Sequence, residues 1–144
     1  LGKHVLKALI ANSELSVTVL AREDSNSTYP PHIPVIRTDF SASSLEAALK
    51  GQDAVVSTVT HLALKEQEKV LHAAVKSGVQ RFIPSEFGSD TSNDALLRAV
   101  PYSAIKRRVI DQLMQLEGMG PKAYFSWTTV IPGPFFEWSV SATK

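Results

Sequence analysis

Apolar residues in this chain recur in two ways, at helical spacing of about 3.6 residues and in short near-continuous runs, and the two kinds of segment follow one another. Gly2–Ala11 carries Val5, Leu6, Leu9 and Ile10 on one face, which predicts an opening helix stopped by Asn12 and Ser13. Ser16–Ala21 (SVTVLA) is short, β-branched and apolar, the pattern of a strand covered on both faces. Glu23–Pro34 is rich in Ser, Asn and Pro and reads as a surface loop. Val35–Thr38 predicts a second strand, and Ser44 precedes a compact helix, Leu45–Lys50, closed by Gly51. Asp53–Val59 (DAVVSTV) is the strongest strand pattern, followed by a helix over Leu62–Ser77 with Leu64, Val70, Leu71, Ala74 and Val75 as its apolar positions. Gly78 ends that helix and Val79–Pro84 is the next strand. A polar loop, Gly88–Asn93, leads towards a long helix over Pro101–Glu117, which Gly118-Met119-Gly120-Pro121 terminates. Phe125–Ile131 is the last strand, broken by Pro132-Gly133-Pro134.

Strands separated by helices imply right-handed crossovers and a mostly parallel sheet, so the expected class is α/β, a doubly wound Rossmann-type sheet. In that order the strand before the opening helix is central, between the strands at Ser16 and Asp53. No such strand precedes Leu1 here. The chain is therefore read as a piece of a longer protein, residues 1–144 forming a partial domain that lacks the first strand and most of the substrate-binding part.

The formal net charge is +1, which gives no basic field for nucleic acid. No apolar run is long enough to span a bilayer, and the first residues lack the order of a signal peptide. With no cysteine there are no disulfides, thiolate metal sites or cysteine nucleophiles, in keeping with a cytoplasmic protein. The histidines, His4, His32, His61 and His72, show no metal-binding spacing, and no metal site is expected.

Three stretches carry a family resemblance. The opening LGKHVLKALI resembles the end of a G-x-x-G-x-x-G turn running into its helix, with Gly2 as the third glycine. Gly78–Gly88 (GVQRFIPSEFG) is similar to the G-V-x-R-F-x-P-S-E-F-G segment of isoflavone reductases, phenylcoumaran benzylic ether reductases and NmrA-like proteins. Ser126–Trp138 (SWTTVIPGPFFEW) resembles the fungal branch of the same group, and the likeness runs colinearly along the whole chain.

The resemblance implies an NADP(H)-dependent reductase acting on a small, aromatic or polyketide-like substrate. A pyrophosphate is attracted to unpaired N–H groups and the positive end of the dipole at the Gly2 helix start, where the glycine allows close packing. Arg22 directly follows the Ser16–Ala21 strand, where an arginine fork can pair with a 2′-phosphate, although Glu23 and Asp24 stand beside it. Ser57, Thr58 and Val59 end the strongest strand, and in the family this segment borders the ribose and nicotinamide. Thr60 is a candidate N-cap. Lys106 is the main catalytic candidate: Tyr102 lies one helical turn earlier, Val109, Ile110 and Leu113 continue the face, and the family's lysine in this region is a general acid/base. Tyr102 and Lys106 also reproduce the Y-x-x-x-K spacing of short-chain dehydrogenases, in which the lysine lowers the tyrosine pKa and binds the cofactor ribose while the tyrosine exchanges a proton with the substrate, with Ser85 as the third member of such a site. Plant reductases place an arginine where Ile110 stands; aligning Arg107-Arg108 instead would put Ser103 in the lysine's place, and the spacing to Val109 and Leu113 favours Lys106. Arg107 and Asp111 are expected to form an ordinary ion pair; Gln67, which matches a recurrent family position, to be an exposed helical residue; and Glu86 to make structural hydrogen bonds rather than tune a neighbour. Phe135, Phe136 and Trp138 either line an apolar substrate pocket or pack as core. The resemblance also allows a second class, a nucleotide-sensing regulator that binds a protein partner, and leaves a homodimer open.

Overall fold

The computed structural model describes residues 1–118, 124–136 and 140. Its elements in chain order are α1 (Gly2–Ile10), β1 (Val19–Arg22), β2 (Val35–Thr38), α2 (Ala42–Leu49), β3 (Ala54–Val56), a single 3-10 turn (His61–Ala63), α3 (Leu64–Lys76), β4 (Arg81–Ile83), α4 (Asp94–Ala99), α5 (Ser103–Leu116) and β5 (Ser126–Trp127). All the paired strands run parallel. The α/β reading holds, and the expected elements occur in the expected order with one helix, α4, added.

The hydrogen-bonded strands form two groups, β1-β2 and β3-β4-β5. The division falls between β1 and β3, where the doubly wound order places the strand preceding α1. In keeping with this, the apolar stripe of α1, Val5, Leu6, Leu9 and Ile10, is only half-buried, and no residue of that helix is buried completely.

The core sits on the larger sheet. Leu45 and Leu49 of α2, Val70, Leu71 and Ala74 of α3, and Val109, Ile110 and Leu113 of α5 close over Phe82 of β4. Burial of each such side chain contributes roughly 1.5–3 kcal/mol before entropy is counted. Because α3 packs against both α2 and α5, its orientation fixes theirs.

Several boundaries move. The first strand ends one residue later than its apolar run, so Arg22 is the last residue of β1, in register with Thr38, rather than a loop residue beyond it. Asp53–Val59 keeps only Ala54–Val56 as regular strand; Ser57 N–H still reaches Ile83 O at 2.8 Å before the chain turns away. The last strand is reduced to Ser126–Trp127. Helix α2 starts at Ala42, capped by Ser41, whose hydroxyl accepts from Ser44 N–H at 3.3 Å. Thr60 begins the 3-10 turn, but its side chain makes no capping bond. Helix α4 was not foreseen: Asn93 Oδ1 accepts from Ala95 and Leu96 N–H, enough to start one and a half turns before Pro101. The tail of Gly118-Met119-Gly120-Pro121 and Trp138 lie outside the described residues.

Candidate functional site

Ligands of open parallel sheets bind at the carboxyl tips of the strands, and several of the singled-out residues lie there. At the tip of β3, Thr58 touches the start of α1: a Cβ built on Gly2 would lie 2.8 Å from Thr58 Oγ1. Any side chain at this position would force Thr58 or the helix start to shift. Leu1 occupies the N-cap without a side-chain bond, the first turn holds no acidic residue, and His4 N–H donates to Leu1 O at 2.8 Å. The N–H groups ahead of it carry the positive end of the helix dipole and suit an anion. A dinucleotide pyrophosphate fits this start on charge, and Gly2 leaves the backbone uncovered by a side chain there.

At the tip of β4, three elements meet on the turn Ser85–Glu86. Gln67 of α3 is fully buried, and its Oε1 accepts from Ser85 N–H at 2.6 Å. Ser85 Oγ donates to Val59 O at 2.8 Å, tying the β4 turn to the end of β3. Lys106 Nζ of α5 donates to the main-chain carbonyl of Glu86. The Glu86 side chain turns inward, 1% exposed, with Oε2 accepting from Thr91 Oγ at 2.7 Å and Oε1 without a partner. Phe87 follows with φ of 31°, a conformation uncommon for a side-chain-bearing residue and a frequent mark of functional turns.

This burial perturbs both titratable groups. Desolvation lowers the Lys106 ammonium below the usual lysine range, with Glu86 opposing the shift. Desolvation likewise raises the Glu86 carboxyl, opposed first by the Thr91 hydrogen bond and then by the Lys106 charge. A half-buried lysine with a depressed pKa at a sheet's ligand edge is suited to proton transfer.

The sequence-derived trio is only partly assembled. Ser85 and Lys106 hold neighbouring points of one turn, whereas Tyr102 is 47% exposed and leans on His61, ring centroids 5.8 Å apart. Among the described residues Tyr102, Lys106 and Ser85 share no hydrogen bond, and the Ser85 proton is committed to Val59. Ser57 is buried, and Thr58 and Val59 are half-buried along the same edge.

Arg22 lies elsewhere on that edge, in a recess of about 300 Å³ lined by Arg22, Glu23, Asp24, Thr38, Glu66 and Lys69 among others. Its guanidinium is exposed and its Nε pairs with Asp24 Oδ1 at 3.3 Å, so the neighbouring acid already engages it. Arg107 and Asp111 form the expected pair at 2.9 Å. Phe136 is exposed and Phe135 half-buried.

Gln67 is the residue misread from sequence. Its polarity suggested a solvent-facing position, yet Leu64, Gln67, Leu71 and Ala74 share one face at helical spacing and are all buried. That spacing was the available signal.

Among the described residues no helix is long and apolar enough to cross a membrane.

Comparison with known proteins agrees with this geometry. A family model described as NAD(P)H-binding matches residues 1–142. An oxidoreductase of Aspergillus flavus is 43% identical over 140 residues, 95% of this chain and 46% of that protein. A solved isoflavone reductase superposes with a TM-score of 0.70 at 21% identity, covering 96% of this chain and 48% of its own. A protein solved with NADP+ and (+)pinoresinol gives a TM-score of 0.58 at 26% identity, over 72% of this chain and 34% of its own. The chain thus spans at most about half the length of these proteins. With Gly2 set against Thr58 at the tip of β3, strands that pair in parallel and a family match along nearly its whole length, the chain belongs to the NAD(P)H-binding family.

Proposed function

We propose that the protein containing this chain is an NADPH-dependent reductase that delivers hydride to a small aromatic or polyketide-like molecule. The observation that carries the reading is Lys106, half-buried and depressed in pKa, with its ammonium seated at the carboxyl tip of β4. The similarity to an oxidoreductase, and to a protein solved with NADP+ and (+)pinoresinol, supports it.

NADPH, when bound, supplies the hydride; the protein supplies binding, orientation and a proton. The start of α1 receives the pyrophosphate, with Gly2 keeping the backbone close. Arg22 exchanges Asp24 for the 2′-phosphate, which sets the preference for NADP(H) over NAD(H). Ser57, Thr58 and Val59 border the ribose and nicotinamide. Lys106 would give a proton to the substrate oxygen or carbon, directly or, once Tyr102 turns from His61, through the Tyr102 hydroxyl. Ser85 closes the site by bracing Val59 against the β4 turn. We place this chemistry in the cytoplasm, in a protein that works alone or as a homodimer.

The uncoupled positions of Tyr102, Ser85 and Lys106 favour keeping one rival: a non-catalytic nucleotide sensor that binds a protein partner. Loss of NADPH absorbance with the full-length protein and a panel of aromatic carbonyl, enone and benzylic ether substrates separates them. The reductase reading expects turnover that Lys106→Ala lowers about 100-fold or more, in the range of a lost general acid, with NADPH affinity retained. Tight NADPH binding without consumption on every substrate would instead establish the sensor.

A further inference from the structure

The Lys106 ammonium rests on a main-chain carbonyl, so its position is set by whatever fixes that carbonyl. Glu86 O belongs to a turn that leaves β4 with Glu86 N–H folded back on Pro84 O at 2.8 Å and continues into the positive φ of Phe87. Such a turn has little regular structure of its own to hold it. Its N–H group at Ser85 would be a buried donor without a partner were it not for Gln67 Oε1 at 2.6 Å. A buried unpaired N–H costs about 1–3 kcal/mol, enough to shift the turn.

We propose that Gln67 is a positioning residue for Lys106: from the middle of α3 it clamps the Ser85–Glu86 main chain and so fixes the carbonyl on which the ammonium sits. The proposal rests on the reading of Lys106 as the proton-carrying group. Three features support it. Gln67 is fully buried at a place on α3 where Leu64, Leu71 and Ala74 would predict another aliphatic side chain. Its Nε2 has no partner, so packing alone does not account for an amide there. The contact is a side chain reaching eighteen residues along the chain to the one turn that also receives Lys106.

The charged groups around the lysine are few. Glu86 acts on it from the β4 turn. Asp90 acts on Glu86 rather than on Lys106, and Arg107 on the adjoining helical position is engaged by Asp111. Freed from its seat, Lys106 would gain water and its pKa would rise towards the ordinary lysine value.

Competitive acetylation of the full-length protein with acetic anhydride over a pH series, read on the Lys106 peptide by mass spectrometry, reports this without turnover. In Gln67→Leu, which keeps the size and removes the acceptor, the Lys106 titration midpoint should move upward. NADPH affinity should stay within about twofold, and kcat should fall about 10-fold or more, as expected for a misplaced catalytic group. Gln67→Met, matched in size but without an amide oxygen, should move the midpoint as Gln67→Leu does. Leu45→Ala, a buried change on α2, should lower Tm without moving it. If Gln67→Leu does not fold, Gln67→Asn, with its amide too short to reach Ser85, takes its place with the same expectations. A folded Gln67 variant whose Lys106 midpoint matches the parent overturns the proposal. Full turnover in Lys106→Ala would instead overturn the catalytic reading, leaving the labelling result on Gln67 to stand.

Discussion

Replacing Gly2 by alanine tests the cofactor edge at its tightest point. The added methyl would lie 2.8 Å from Thr58 Oγ1 and 3.5 Å from Thr58 Cβ. The second distance is ordinary contact; the first requires Thr58 or the helix start to move. Overpacking of this kind costs about 1–3 kcal/mol, and alanine's better helix propensity returns at most about 1 kcal/mol. If the remainder is taken up by tilting the start of α1 away from β3, the N–H groups leave the phosphate position. A loss of about 1.4 kcal/mol in binding is a tenfold weaker Kd. Calorimetric titration of full-length Gly2→Ala with NADPH should therefore give a Kd raised about tenfold, by that conversion. Thr58→Ala removes the offending oxygen, so the double variant should bind nearly as well as Thr58→Ala alone. A non-additive cycle of this sign is the signature of direct contact. Parent-like binding by Gly2→Ala, or two effects that simply add, would refute the reasoning.

Three further outcomes follow from the same geometry. Leu113→Ala, at a fully buried position of α5, should lower unfolding free energy by about 2–5 kcal/mol in urea denaturation; a change under about 1 kcal/mol would place the residue outside the core. Burial raises the Glu86 carboxyl above its ordinary value of 4.5, so its contribution is fully present below that value and is lost as pH rises through the folded-state pKa. Glu86→Gln should accordingly raise Tm at neutral pH, with the gain vanishing below pH 4.5; a destabilisation equal at every pH would contradict the assignment. Asp24→Asn frees the Arg22 guanidinium and should tighten NADPH several-fold while leaving NADH unchanged, whereas equal effects on both nucleotides would remove Arg22 from the 2′-phosphate.

Much of the fold was legible because burial writes itself into spacing. The stripe Val109, Ile110, Leu113 allows one reading of which face is covered. Strand length was less legible: Ser57–Val59 are as β-prone as the residues before them, but Ser57 spends the last ladder bond on Ile83 O and the chain then turns towards His61. Helix α4 escaped notice because its stability comes from one asparagine cap rather than an apolar stripe. Of the expected site residues, Gly2 and Ser57–Val59 follow from their places at helix and strand ends, and Ser85 and Lys106 from the resemblance and the Y-x-x-x-K spacing. The place of Gln67 was not legible, because a polar side chain on a buried face looks like a surface residue until its partner, a main-chain N–H eighteen residues on, is known.

The convergence of helix start and strand tips on one nucleotide is tested most directly by hydrogen–deuterium exchange of the full-length protein with and without NADPH. Protection is expected over residues 1–5, 57–60 and 84–87, with the outer face of α2 unaffected. Saturating NADPH that protects none of these three segments would contradict it.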